Sequence, residues 1–394
     1  MIHPDDRQTR LAEVRNLKMA RSAHAYVRGS TAKFYEWLES NPADIPEGPP
    51  VWICGDCHVG NLGPVADKRG RVAIQIRDLD QTVIGNPAHD LIRLGLSLAS
   101  AARGSDLPGV VTARILEQLV VGYESALAGR FDSDREKRTR PHSIRVRMDQ
   151  SVRRRWRHLA AERLETVEPV VPLGRKFWRL RDDERAGLKS LFDDPALHAL
   201  ITGLQGRDPG DEVRLVDAAY WMKGCSSLGR MRFAAMLRIG KGKGASLCLV
   251  DVKEAVAAAA PRCAGIVMPR DNGMRVVAGA RALSPNLGLR MIAARLLDKA
   301  VVMRELMPQD LKLELNRLSQ SEAMALAAYL ASVVGRAHGR QMDAAARRSW
   351  LAELTRRRPA TLEAPSWLWA SVVSLLAIHE RAYLEHCRVF ALAA

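Results

Sequence analysis

The sequence predicts an α+β protein in two unequal parts, one mainly helical and one a smaller antiparallel β unit. Three observations carry that prediction. Two apolar strands, VWICGD (51–56) and GRVAIQIRDLD (70–80), flank a loop and lead into helical stretches at 86–102 and 108–128. A second β region, 211–256, alternates apolar strands with glycine turns. From about residue 274 the pattern is mainly helical.

Each element has a local reason. Residues 1–45 read as helix after a polar start, and Pro42, Pro46, Pro49 and Pro50 end that region. VWICGD stops at a Gly-Asp corner, and the next strand places Val72, Ile74 and Ile76 at period two. The loop between them carries His58 and Asn61. NPAHDLIRLGLSLASAA (86–102) has a proline near its start and an apolar helical face. Leu116, Leu119, Val120 and Tyr123 fall near one side of the next helix. Residues 211–256 read as strand, glycine turn, strand, glycine-lysine hairpin, strand. The later helices are expected at 286–300, 318–341 and 343–354, with a final pair over 365–391. The resulting units are 1–129, a basic helical insertion at 130–205, a glycine-rich β unit at 206–270 and a helical segment at 271–394.

Composition bounds the function. With 394 residues, 47% hydrophobic and 26% charged, the chain can bury a core, which excludes wholesale disorder. The net charge of +16 suits an anionic partner. Residues 130–181 hold 16 Lys and Arg against 7 Asp and Glu, so over half of that excess lies there. Aromatics at 5% are thin for stacking single-stranded bases. RRRWRH (153–158) holds only Trp156 among its arginines, so a solvated basic helix or a docking rim suits it better than a nucleic-acid motif. The first 22 residues contain no apolar stretch, and the run Trp369 to Ile378 is broken by Ser371 and Ser374. A soluble, cytoplasmic chain with no membrane partner is expected. Cys54 and Cys57 form a CxxC, but no second pair follows at zinc spacing, so ordinary thiols are expected.

The chemistry concentrates in GDCHVGN (55–61) and RDLDQT (77–82). Asp56 and Asp78 each end a strand, Asn61 lies five residues after Asp56, and Asp80 shares a strand face with Asp78. Phosphoryl transfer needs such a set. One carboxylate orients or deprotonates the acceptor hydroxyl, while an amide oxygen and further carboxylates hold magnesium against the phosphates. Taken singly, each piece is also common as a turn or cap residue. Their order and spacing together carry the reading.

These residues resemble the kinase-like phosphotransferases, especially the aminoglycoside and choline kinase branch, whose loop reads H-G-D-x-H-x-x-N. GDCHVGN, IRD (76–78) and GNPAHDL (85–91) follow that pattern, with Asp90 twelve residues after Asp78. The resemblance makes Asp56 the catalytic aspartate and Asn61 and Asp78 metal ligands, with His58 and Asp90 bracing the loop. Cys54 and Leu79 depart from the usual histidine and aromatic. Only 54 residues precede the loop, too few for a nucleotide lobe, and the missing parts lie downstream. KGCSSLG (223–229) offers a phosphate-covering turn with Gly224, Ser226, Ser227 and Gly229, and VDVKEA (250–255) places Lys253 in a strand. A circular permutation explains this order.

The arrangement also resembles the bacterial family of domain of unknown function 2252. The shared blocks are KMARSAHAYVRG (18–29), GDCHVGNLG (55–63), DLDQT (78–82), DLIRL (90–94), GCSSLGRMRF (224–233), VKEA (252–255), RELMPQD (304–310) and GRAHGR (335–340). It implies that Arg28 contacts phosphate or braces the loop. Ala278 stands where that family often has glutamate, leaving Glu305 as the candidate partner for Lys253. His338 on its apolar helix reads as a loop-bracing residue. The expected function is phosphotransfer from ATP with Mg2+ to a hydroxyl on a small molecule or protein. AMP transfer to protein, and a non-catalytic nucleotide- or nucleic-acid-binding module, are the alternatives.

Overall fold

A computed structural model describes residues 3–41, 45–130, 140–154, 170–204, 207–225, 227–242, 245–313, 318–356 and 364–390. Three helices open the chain: α1 (Arg7–Ala20), α2 (Ala23–Gly29) and α3 (Thr31–Ser40). The Ser22 side chain accepts the Ala25 N–H and starts α2. β1 (Val51–Ile53) pairs antiparallel with β4 (Val83–Gly85), and β2 (Leu62–Ala66) with β3 (Val72–Ile76). α4 (Pro87–Arg103) begins with Asn86 as its cap and proline in its first turn, where a missing N–H costs nothing. α5 (Gly109–Leu127) follows, then α6 (His142–Arg153).

The largest sheet has six antiparallel strands. β5 (Phe177–Trp178) leads to α7 (Asp182–Leu191) and α8 (Pro195–Thr202). Then come β6 (Val213–Trp221), β7 (Arg232–Ile239), β8 (Ser246–Glu254), α9 (Asn272–Leu283), β9 (Met291–Leu296) and β10 (Lys299–Glu305). The spatial order is β5-β6-β7-β8-β10-β9. The chain closes with α10 (Gln320–Gly339), α11 (Ala344–Arg356) and α12 (Ser366–Phe390).

Two bodies of packing result. Around α4, α5 and α10, the large core gathers Leu94, Leu119, Tyr123, Leu330 and Val334. α5 and α10 approach so closely that a Cβ on Gly122 would lie 2.0 Å from the Ala328 carbonyl oxygen. On one sheet face Phe233, Val250 and Val252 pack with Leu188, Leu197 and Leu11 of α7, α8 and α1. The other face is apolar around Trp221, Met236 and Leu249 and then turns polar. Register puts Arg232, Asp251, Lys253, Val302 and Arg304 together on that polar end. No helix among the described residues is long and apolar enough to cross a membrane.

Three expectations are corrected. Residues 286–300 are not a helix: after one turn at Pro285–Gly288 the chain forms the β9–β10 hairpin. Its turn places Leu297 and Asp298 at φ 49° and 61°. Such turns normally announce themselves with Asn-Gly or Asp-Gly, and a leucine there hides the signal. The final helical pair is one helix, α12, because nothing between 366 and 390 is a glycine or proline that would break it. The described parts of 130–205 are no separate helical insertion. β5 joins the sheet, α7 and α8 cover it, and the Ser151 hydroxyl of α6 bonds the Gln309 carbonyl at 2.5 Å. Most of RRRWRH, including Trp156, lies outside the described residues.

Buried histidines give the fold a pH dependence. His379 is 1% exposed, with Nδ1 2.9 Å from the Leu375 carbonyl. Burial, helped by the charge of Arg93, pushes it from 6.5 down to about 4. The unfolded chain takes up this proton near 6.5 and the folded chain does not. Its contribution is therefore complete above 6.5 and lost as pH falls toward 4. At about 1.4 kcal/mol per tenfold change in protonation ratio, His379 alone accounts for roughly 3 kcal/mol. His24 and His89, also held at about 4 chiefly by burial, act in the same direction. Urea unfolding is expected to show stability falling already between pH 6.5 and 5, with a shallower slope in His379→Leu. An unchanged slope would contradict this assignment.

Candidate active site

The Gly-Asp corner is built by its backbone. Gly55 has φ 74°, and a Cβ there would lie 2.1 Å from the Gln81 carbonyl oxygen, so only glycine fits. The N–H groups of Cys54 and Gly55 donate to the Asp90 carboxylate at 2.7 and 3.0 Å. Asp90 sits in the first turn of α4 and is fully buried. It meets His338 Nε2 at 3.1 Å, while His338 Nδ1 lies 2.9 Å from the Tyr123 hydroxyl. Trp350 donates its indole N–H to that hydroxyl at 3.2 Å. Indole can only donate, so Trp350 anchors a connected chain of hydrogen bonds that runs through Tyr123 and His338 to Asp90. Every member is satisfied, and the corner is held rigid.

Asp56 follows that corner. Its Oδ1 accepts from the Arg93 Nε at 2.9 Å, one turn along α4 from Asp90. Arg93 is itself fully buried and donates to the Val27 carbonyl at 2.6 Å. The Asp56 carbonyl receives the Asn61 amide at 2.9 Å and the His58 N–H at 2.9 Å. Burial raises the Asp56 carboxyl above its ordinary value, against the pull of Arg93. His58 Nε2 stands 3.9 Å from Asp56 Oδ2. Burial and then the charge of Arg28 hold His58 well below its ordinary range, so it is neutral.

Asp78 lies just beyond β3, beside Asn61: the Arg77 N–H donates to the Asn61 carbonyl at 2.7 Å. Its side chain is 48% exposed and lies 3.3 Å from the Lys253 Nζ of β8. Lys253 also forms an ion pair with Asp80. Burial would raise Asp78, but Lys253 and Arg304 outweigh it and hold its carboxyl well below the usual range. Burial and the charge of Asp78 raise Asp80 instead. Thus the hairpin end and the sheet face meet across a narrow cleft walled by Asp78, Asp80, Asp251, Lys253 and Arg304. Behind Lys253, Arg232 grips Asp251 through two bonds of 2.8 and 2.6 Å. Arg275 of α9 fixes the 80–82 loop by bonding the carbonyls of Asp80 and Thr82.

The glycine turn is pinned to α1. Gly224 and Gly229 adopt φ 107° and 98°, and their carbonyls receive Lys18 Nζ at 3.0 Å and Gln8 Nε2 at 2.9 Å. Ser227 lies within this turn, while Ser226 falls outside the described residues. Arg28 packs its guanidinium against Gly60 of the Asp56 loop, where an added Cβ would meet its Cζ at 3.1 Å.

Glu305 is corrected as the partner of Lys253. It pairs in register with Val250, whereas Lys253 pairs with Val302, so the two side chains leave opposite faces of the sheet. Arg207 binds Glu305 at 2.5 and 2.8 Å. Asp80 and Asp78 take the place expected for the missing glutamate. Asp251, Arg232 and Arg93 went unassigned in the sequence. A charged residue two positions before Lys253 in an otherwise apolar strand was the available signal for Asp251. Arg93 carried none, because its role depends on the facing of α4.

A hard cation suits Asp78, Asp80 and the Asn61 amide oxygen, whose amide N–H₂ is already used on Asp56. Cys54, Cys57 and Asp90 also lie close enough to share an ion, but three donors already occupy the Asp90 oxygens. Donating its S–H toward Cys57, together with burial, pushes the Cys54 thiol well up, away from the thiolate a metal needs.

These features define an α+β protein with a carboxylate loop facing a strand lysine across a cleft. The chain belongs to the family DUF2252, described as an uncharacterized protein conserved in bacteria, whose model matches residues 7–389. No curated protein and no solved structure matches it.

Proposed function

We propose that this chain is an ATP- and magnesium-dependent phosphotransferase with a circularly permuted kinase-like arrangement. The observation that carries the reading is the meeting of Lys253 with Asp78 and Asp80, beside the loop that holds Asp56 and Asn61. The strand lysine and the glycine turn come from the later half of the chain, and the carboxylate loop from the earlier half. That order is what a permutation of the kinase plan requires. α9, packed beside β9 and β10, takes the place of the helix that would supply a glutamate, and it presents Arg275 instead.

The roles follow from the geometry. Arg93 occupies Oδ1 of Asp56, which leaves Oδ2 to receive the acceptor's hydroxyl proton. Asn61, Asp78 and Asp80 would hold magnesium, which neutralises phosphate charge when bound. Lys253 would exchange its carboxylates for the nucleotide phosphates, while Gly224, Ser227 and Gly229 would cover them. The acceptor oxygen then bonds to the terminal phosphorus, the bond to ADP breaks toward ADP, and the proton goes to Asp56.

One observation favours a second reading. With no α9 glutamate on Lys253, a nucleotide turned end for end would deliver AMP to a protein. Transfer of label from the terminal or from the alpha position of ATP separates the two and tests the proposal.

A further inference from the structure

Beside the Asp56 loop lies a set of nitrogen donors that the reading above leaves unused. His24 and Arg28 are four residues apart on α2 and so share one face. The Nε of Arg28, the Nδ1 of His24 and the Nδ1 of His58 are all buried without a hydrogen-bond partner among the described residues. His58 itself is only 4% exposed. Buried donors left unmade are costly, and such orphans call for an explanation. Lys312, exposed to solvent, lies near enough to Arg28 and Arg77 for their charges to act on it. The surrounding walls, and then Arg28 and Arg77, push its ammonium down to about 8.

Three other cations of the cleft are engaged. Lys253 holds Asp78 and Asp80, Arg232 holds Asp251, and Arg304 donates to the Arg77 carbonyl at 3.0 Å. Arg28 and Lys312 meet no carboxylate among the described residues. The field at this spot is therefore positive and its donors are open. Position decides what would fill it. Arg28 lies on Gly60, within the loop from Asp56 to Asn61, whereas Lys253 and Arg232 lie on the sheet. The open donors thus flank the proposed base.

We infer that Arg28, His58 and Lys312 form an anion site for the acceptor, which is a hydroxyl compound or side chain already bearing a phosphate or carboxylate group. This rests on the phosphotransferase reading and gives the substrate its charge. An anion there would take hydrogen bonds from Arg28 and His58 and the charge of Lys312.

Inorganic phosphate is the probe, measured by calorimetry on the full chain with and without a saturating non-hydrolysable ATP analogue and magnesium. Phosphate is expected to bind in both conditions with similar affinity. Arg28→Gln is expected to weaken it about tenfold or more while the magnesium-nucleotide affinity stays within about twofold. Lys312→Gln, at an exposed position, gives a weaker loss of the same kind and guards against a folding defect in the first variant. Phosphate displaced fully by the nucleotide, or nucleotide affinity falling in step with phosphate affinity, overturns the acceptor site. Nucleotide binding without phosphate binding overturns the anion site alone. Phosphate binding without nucleotide binding overturns the phosphotransferase reading and, with it, the acceptor's identity.

Discussion

Asp56→Asn is expected to lower the proposed phosphate transfer from ATP by a factor of about 10² to 10⁴, the range that a positioned proton acceptor contributes. The amide keeps an oxygen for Arg93 Nε and a similar volume, so the corner held by Asp90 and His338 stays in place. What disappears is the negative Oδ2, the oxygen that faces away from Arg93. Magnesium-nucleotide affinity is expected to change little, because Asn61, Asp78 and Lys253 are untouched. Rate and affinity measured on the same preparation separate these effects. A fall in affinity equal to the fall in rate would place Asp56 among the nucleotide contacts instead.

Asp251→Ala destabilises the chain by about 3–5 kcal/mol, the cost of stranding one partner of a buried ion pair. Arg232 is 6% exposed and Asp251 2% exposed, and their two bonds are short. Burial would raise Asp251, but Arg232 outweighs it and holds the carboxyl far below its usual range. Removing both charges, as in Arg232→Met with Asp251→Leu, is expected to recover most of the loss, since no unpaired charge stays buried. Urea unfolding of the single and double variants measures this. A loss below about 1 kcal/mol in the single variant would show that water reaches Arg232.

The two variants act on sites of different legibility. Gly55, Asp56, Asn61 and Asp78 stood out in the sequence because a tight corner and oxygen ligands leave short, ordered patterns. The β1 strand showed as a short apolar run ending at the Gly-Asp corner, β3 through its period-two apolar pattern, and α4 through its proline start and apolar face. The Arg232–Asp251 pair was hidden, because it joins neighbouring strands whose register depends on the whole sheet. The partner of Lys253 was hidden for the same reason: Asp78 lies 175 residues away in the chain. A helix glutamate was the natural expectation, and the loop supplies Asp80 in its place. The β9–β10 hairpin escaped because its turn uses Leu297 and Asp298 where glycine or asparagine would have marked it.

The meeting of Lys253 with Asp78 and Asp80 supports the proposal that this cleft moves the terminal phosphate of ATP. Incubation of the chain with a cell extract, magnesium and ATP labelled at either the terminal or the alpha phosphate tests it most directly, with Asp56→Asn and Asp78→Asn alongside. Magnesium-dependent transfer of terminal label to an acceptor, lost in both variants, is the expected result. Transfer of alpha label would establish AMP transfer instead, and terminal-label transfer that survives both substitutions would contradict the assignment.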